Sequence, residues 1–155
     1  MSMTPHPPTI FHMCRAEEWA DAQATGAYPG SSQDRADGFI HFSTAAQLPV
    51  SAAKHRAGQT GLLLLTVDAA SLGPALRWEP SRGGQLFPHL YGPLPVIAAL
   101  RVDPLPLGAD ALHLLPPHVA ATAAADSAAG AGENSAGGAG DSAGTVDSPD
   151  GSGRP

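Results

Sequence analysis

The chain has 155 residues with eight Lys/Arg against fourteen Asp/Glu, a formal charge of −6, and one cysteine. One cysteine excludes an intramolecular disulfide framework and points to a reducing compartment. From Val119 to Pro155 there is no Leu, Ile, Phe, Met, Trp or Tyr, and five acidic residues stand there against Arg154, so most of the net charge belongs to this end.

Such a segment buries too little apolar surface to offset its ordering entropy, so residues 117–155 are expected to form a disordered Ala/Gly/Ser/Asp-rich tail. The folded domain is then 8–116, with seven Lys/Arg against nine Asp/Glu over the chain before the tail. That balance argues against nucleic-acid binding driven by bulk charge. The start, Met1 to Pro8, carries neither a charged leader nor an apolar run, and Leu62 to Leu65 is far too short to span a bilayer. A soluble, cytoplasmic protein without membrane contact is the expectation.

In chain order, Thr9 to Cys14 alternates as a strand, with Ile10, His12 and Cys14 on one face and Phe11 and Met13 on the other. Arg15 to Thr25 reads as a helix, with Ala16, Trp19, Ala20 and Gln23 on one stripe and Gly26 as its stop. Tyr28 to Gly38 reads as a loop. Gly38 to Ser43 reads as a second strand with Phe39, His41 and Ser43 on one face, running into a helix that Thr44-Ala-Ala-Gln47 would cap and Pro49 would limit or kink. Gly61 to Val67 is apolar without alternation, the pattern of a strand covered on both faces. A turn over Asp68–Gly73 leads to a short strand, Ala75 to Glu79. Phe87 to Pro95 holds three prolines and a glycine, which suits a shaped loop or an interrupted edge strand. Val96 to Val102 closes the domain as a strand. Two early helices and late strands give α+β.

Three of the seven histidines sit in apolar, strand-like or tightly turned surroundings: His12, His41 and His89. Burying an imidazole is costly unless both ring nitrogens find partners, so the three build either a polar network or a site. His41 precedes the expected helix start at Thr44, where free N–H groups can receive an anion and Ser43 and Thr44 add hydroxyls. Glu79, beside Trp78 and a Gly-rich turn, is a candidate base or electrostatic stabiliser, and Gln85 is a second polar group there. The stiff Phe87–Pro93 segment would hold His89 or Tyr91 against a ligand. None of the histidine spacings matches a metal motif, so no metal is expected. Cys14 lacks a catalytic setting.

Ile10-Phe-His-Met13 with the Trp19 helix, Gly38-Phe-Ile-His-Phe-Ser-Thr44, Leu76-Arg-Trp-Glu-Pro80 and Phe87-Pro-His-Leu-Tyr-Gly-Pro-Leu94 together resemble domain-of-unknown-function family 952, small bacterial proteins, over about residues 9–105. The resemblance implies an ADP-ribosyltransferase-like fold: two small, bent, mainly antiparallel sheets forming a cleft, with two helices. It implies NAD as cofactor, with transfer or hydrolysis of ADP-ribose onto an undefined acceptor. His12 would hold a ribose, His41 with Ser43 would seat the nicotinamide side, and Glu79 would steady an oxocarbenium-like ribose, with Gln85 or His89 as alternatives for that late position. Two other readings stand beside it: a non-catalytic nucleotide- or anion-binding module, and a small hydrolase or transferase using His41 and His89 as acid and base.

Overall fold

The computed structural model describes residues 6–138. β1 (Thr9–Arg15) runs into α1 (Ala16–Thr25), and Gly26 ends that helix in the left-handed region at φ 94°, its N–H closing on the Ala22 carbonyl. β2 (Ala27–Tyr28) and α2 (Ser32–Asp37) occupy the stretch read as a loop. The cause is a capping box: Ser31 accepts from the Asp34 N–H, and the Asp34 carboxylate accepts from the Ser31 N–H. α1 buries Trp19 and Ala22, whereas Ala16, Ala20 and Gln23 of the expected stripe are exposed.

β3 (Ile40–His41) and β4 (Ser43–Thr44) replace the single expected strand, and they belong to different sheets. Phe42 is the crossing point, its N–H donating to the Pro88 carbonyl. α3 (Leu48–Arg56) starts later than Thr44, with Pro49 inside its first turn, where a missing N–H costs nothing. Thr44 and Gln47 exchange side-chain-to-backbone bonds in the intervening turn.

β5 (Leu62–Asp68) is followed by 3-10 turns over Ala69–Ala75, then by β6 (Leu76–Pro80) and β7 (Leu86–Leu90). β8 (Leu94–Pro95) pairs with β2, a 3-10 turn covers Val96–Ala98, and β9 (Ala99–Pro104) is the last strand, so the expected Val96–Val102 strand starts three residues late. The sheets are antiparallel, in the orders β4-β1-β5-β9 and β3-β7-β6, with the β2–β8 ribbon beside them. The segment holding Pro88 is therefore a central strand, not an edge. Pro88 still serves the sheet as an acceptor, through the carbonyl that takes the Phe42 N–H.

β1 and β5 send alternate side chains into two cores. Ile10, Cys14, Leu65 and Val67 meet Trp19, Tyr28, Ile40, Phe42, Leu90 and Leu94 between the sheets. Phe11, Met13, Leu62 and Leu64 meet Leu48 and Ala52 of α3 on the other face. Both faces of β5 are covered, which explains its unbroken apolar run.

α4 (Pro117–Gly138) takes up the first part of the segment expected to be disordered. Val119 is buried in the second core beside Leu105, with Ala123 against it, and the His118 ring bonds the Thr66 hydroxyl at 3.2 Å. Val119 is the buried apolar anchor of the helix start, and it joins a face that α3 and Leu105 already cover in part. Residues 139–155 of the expected tail lie outside the described residues. The structure is thus α+β with small antiparallel sheets, and it has four α-helices among the described residues, where two were expected.

Candidate functional site

β4 pairs with β1 only at Ile10 and Phe11, whereas β5 accompanies β1 as far as Arg15. Beyond Phe11, one edge of β1 borders a cleft of about 550 Å³ between the two sheets, a volume ordinary for a small-molecule site. His12, His41, Ser43 and His89 all line it.

His12 is 4% exposed, and both of its ring nitrogens are engaged. Nδ1 lies 2.6 Å from the His41 carbonyl, which can only accept, so Nδ1 carries the hydrogen. Nε2 then accepts from the Tyr28 hydroxyl at 2.8 Å. Burial holds the His12 pKa below the usual histidine value, although the Asp34 charge pulls upward. His12 is a neutral, satisfied core histidine standing at the wall of the cleft.

Asp34 is 3% exposed and links several of these groups. Its Oδ1 accepts from His41 twice, from ring Nδ1 at 2.6 Å and from the backbone N–H at 3.2 Å, while Oδ2 accepts from the Ser31 N–H and lies 3.7 Å from His12 Nε2. Burial alone would raise the carboxyl. The His41 hydrogen bond and the two backbone N–H groups outweigh it and hold the pKa down at about 2. Asp37 meets the other nitrogen of His41, Nε2, at 3.1 Å. Both nitrogens of His41 therefore face carboxylates.

His89 lies directly across from His41 in the β3–β7 register, with the ring centroids 5.5 Å apart, and Phe39 stacks on His89 at 4.1 Å. His89 Nδ1 bonds Glu79 Oε1 at 2.7 Å, and the Tyr91 hydroxyl donates to the same oxygen at 2.8 Å. The His89 bond first, then the Tyr91 bond, lower the Glu79 pKa, and the same carboxylate raises that of Tyr91. The Arg77 guanidinium sits 4.5 Å over the Tyr91 ring. With Nδ1 committed to Glu79, Nε2 of His89 is the free nitrogen and has no hydrogen-bond partner among the described residues. A carboxylate-backed imidazole with an open Nε2 can take or give a proton.

Of the residues singled out in the sequence, His12, His41, Ser43 and His89 come together at the cleft. Ser43 donates its hydroxyl to Ser51 at 3.1 Å. Glu79 and Tyr91 stand behind His89 and do not line the cleft, so the Glu79 carboxylate is spent on His89 and not presented to a ligand. Thr44 is buried outside it, and its N–H is taken by Gln47 Oε1 at 3.0 Å. Gln85 is exposed and also outside. Cys14 is fully buried, which pushes its thiol up to about 12 and leaves it inert as a nucleophile. Among the described residues no group of His, Cys, Asp and Glu is arranged to hold a metal ion.

Sequence reasoning missed Asp34, Asp37 and Arg15, all of which line the cleft; Arg56, which sequence alone does not separate from solvated surface, lines it too. The signal for Asp34 was present: Ser31-Ser-Gln-Asp34 is a capping pattern, closed by Gly38 as a helix stop.

The family model described as a protein of unknown function, DUF952, matches residues 13–102. The chain belongs to this family. It is similar to protein CC0527 from Caulobacter crescentus, with 46% identity over 72% of this chain and 98% of that one, and a TM-score of 0.70 to its crystal structure. The solution structure of CC0527 matches over 72% of this chain and 96% of that one, at 46% identity, with a TM-score of 0.65. DarT of Thermus sp. 2.9, in complex with NAD+, aligns over 95% of this chain and 98% of that one at 10% identity and a TM-score of 0.44, a likeness that carries no argument. No curated protein matches. No helix among the described residues is long and apolar enough to cross a membrane.

Proposed function

We propose that the cleft binds NAD or ADP-ribose and that His89, backed by Glu79, is the proton-handling group of a transfer or hydrolysis of ADP-ribose. The observation that carries this reading is the open Nε2 of His89 on the wall of a cleft of about 550 Å³, opposite the carboxylate-held His41. The resemblance described from the sequence supplies the ligand class. Cleaving NAD breaks the bond between the ribose carbon and the nicotinamide nitrogen, and the electron pair leaves with neutral nicotinamide. The attacking water or acceptor hydroxyl bonds to the ribose carbon and gives up a proton, which His89 Nε2 accepts. In this reading Glu79 acts through His89 instead of touching ribose. Ser43 is the contact for the bound ligand, and His12, Asp34 and the fully engaged His41 are positioning residues.

A second reading has its own support. His41 and His89 occupy directly opposed register positions, each with a carboxylate partner, as an acid–base pair in a small hydrolase or transferase would. Calorimetry and thermal shift with millimolar NAD and ADP-ribose separate the readings. The expectation is saturable heat with both ligands, with Glu79→Gln and His89→Gln retaining binding and losing NAD cleavage. Binding without turnover in the wild type leaves the non-catalytic module. No heat and no thermal shift overturn the nucleotide reading and favour the hydrolase.

A further inference from the structure

The cleft also carries two arginines that form no ion pair among the described residues. Arg56, in the last turn of α3, is fixed by donating Nη2 to the Met13 carbonyl at 3.2 Å and Nη1 to Gln59 Oε1 at 3.1 Å. Arg15 is two residues beyond Met13 on β1, so strand alternation puts its side chain on the same strand face as that of Met13, the residue whose carbonyl holds Arg56. Both line the cleft, and neither is paired with a carboxylate among the described residues. Arg101 shows the contrast, since Asp103 holds it through two bonds of 3.0 and 3.1 Å. The edge of β1 adds a donor. The N–H and carbonyl of a strand residue point the same way, and the Met13 carbonyl faces Arg56, so the Met13 N–H faces the cleft as well.

Two guanidiniums of like charge, one of them oriented by neutral acceptors, line one concave cleft, and the strand edge that holds Arg56 also carries a backbone donor. Guanidinium forks match phosphate oxygens, and a concave, low-dielectric wall strengthens the attraction. Thr44 does not open a helix as expected and cannot receive an anion there, because α3 starts at Leu48 and Gln47 Oε1 already takes the Thr44 N–H.

We propose that Arg15, Arg56 and the Met13 N–H form a phosphate-binding subsite of the cleft, taking the phosphoryl group of a sugar phosphate or nucleotide. This rests on the cleft of the reading above and not on NAD as its occupant.

The test follows the isotope-labelled full chain by NMR during titration with ribose 5-phosphate, inorganic phosphate and, as the ligand without phosphate, adenosine. Ribose 5-phosphate is expected to shift the Met13 and Arg15 amide signals and the Arg56 Nε signal saturably. Arg15→Gln and Arg56→Gln should each weaken it by about tenfold, while Arg101→Gln binds as the wild type does. Added salt should weaken binding further. Inorganic phosphate binding as tightly as ribose 5-phosphate supports the subsite and assigns it to the phosphate group alone; tighter sugar phosphate supports it and adds the sugar. No shift at these three positions with either phosphate overturns the proposal, as does binding that both glutamine variants leave unchanged. Arg15 is exposed, so its variant reads the subsite even where Arg56→Gln disturbs folding. Phosphate binding without NAD binding sinks the nucleotide reading and keeps the subsite. NAD binding indifferent to both arginines does the reverse.

Discussion

Replacing Asp34 by Asn keeps the shape of the side chain and removes its charge, and the structure sets the consequence. The carboxylate is buried, accepts from the Ser31 N–H and from both nitrogens that His41 turns toward it, and lies 3.7 Å from His12. A carboxyl drawn from an ordinary 3.8 to about 2 carries about 2 kcal/mol of folding free energy near neutral pH. The sign follows from the folded value lying below the unfolded one. The contribution is fully present above about pH 4 and is lost as pH falls through about 2, because protonation of the folded carboxyl erases the difference. Asp34→Asn should therefore lower stability by about 2 kcal/mol at pH 7, roughly 6–10 °C in Tm for a domain of this size. Urea unfolding of both proteins between pH 7 and pH 2 measures it, and the gap should narrow only below about pH 4. A variant that melts within a degree of the wild type at pH 7, or a gap unchanged down to pH 2, would refute the account of Asp34 as a charged keystone.

Tyr28→Phe leaves the buried Nε2 of His12 without its donor and should cost about 1–3 kcal/mol in chemical denaturation; a loss below about 0.5 kcal/mol would mean the bond contributes little. Val119→Ala should cost about 1–2 kcal/mol, and ending the chain after residue 116 should cost more, since Phe11 and Leu105 lose their cover; calorimetric melting that is unchanged by either would show that α4 is not docked.

The sequence reads well where a pattern is local. The alternation of β1 sorts Ile10 and Cys14 from Phe11 and Met13 as the two cores do, and the unbroken run of β5 marks a strand with both faces covered. Gly26 stops α1 in its proper place. Three separated histidines in apolar surroundings do converge on one cleft. What stayed hidden depends on tertiary context. α2 spans six residues, too few for a 3.6-residue period to show, and with it went Asp34. The split of Gly38–Thr44 into strands of two sheets cannot be seen in composition, because Phe42 is as strand-like as its neighbours and only the Pro88 carbonyl decides where its N–H goes. α4 has the composition of a solvated linker, and its docking rests largely on one buried valine that a count of large apolar residues passes over.

The crossing at Phe42 also explains why a core histidine and a site histidine are not rival descriptions of His12. β3 and β4 leave for different sheets on either side of Phe42, so the backbone at His41 has no continuous ladder to hold it. His12 supplies the missing bond from β1 by donating Nδ1–H to the His41 carbonyl, and Asp34 supplies two more, to the His41 N–H and ring. The Tyr28 hydroxyl favours the His12 tautomer that makes the first of these possible. His41 is thereby anchored at its carbonyl, its N–H and its ring, with Asp37 on the remaining nitrogen. His89, across the register, is bonded through its ring only at Nδ1 among the described residues. Of two facing histidines, the one with every polar atom engaged serves to shape the cleft, and the one with a free nitrogen is equipped to exchange a proton with whatever occupies it.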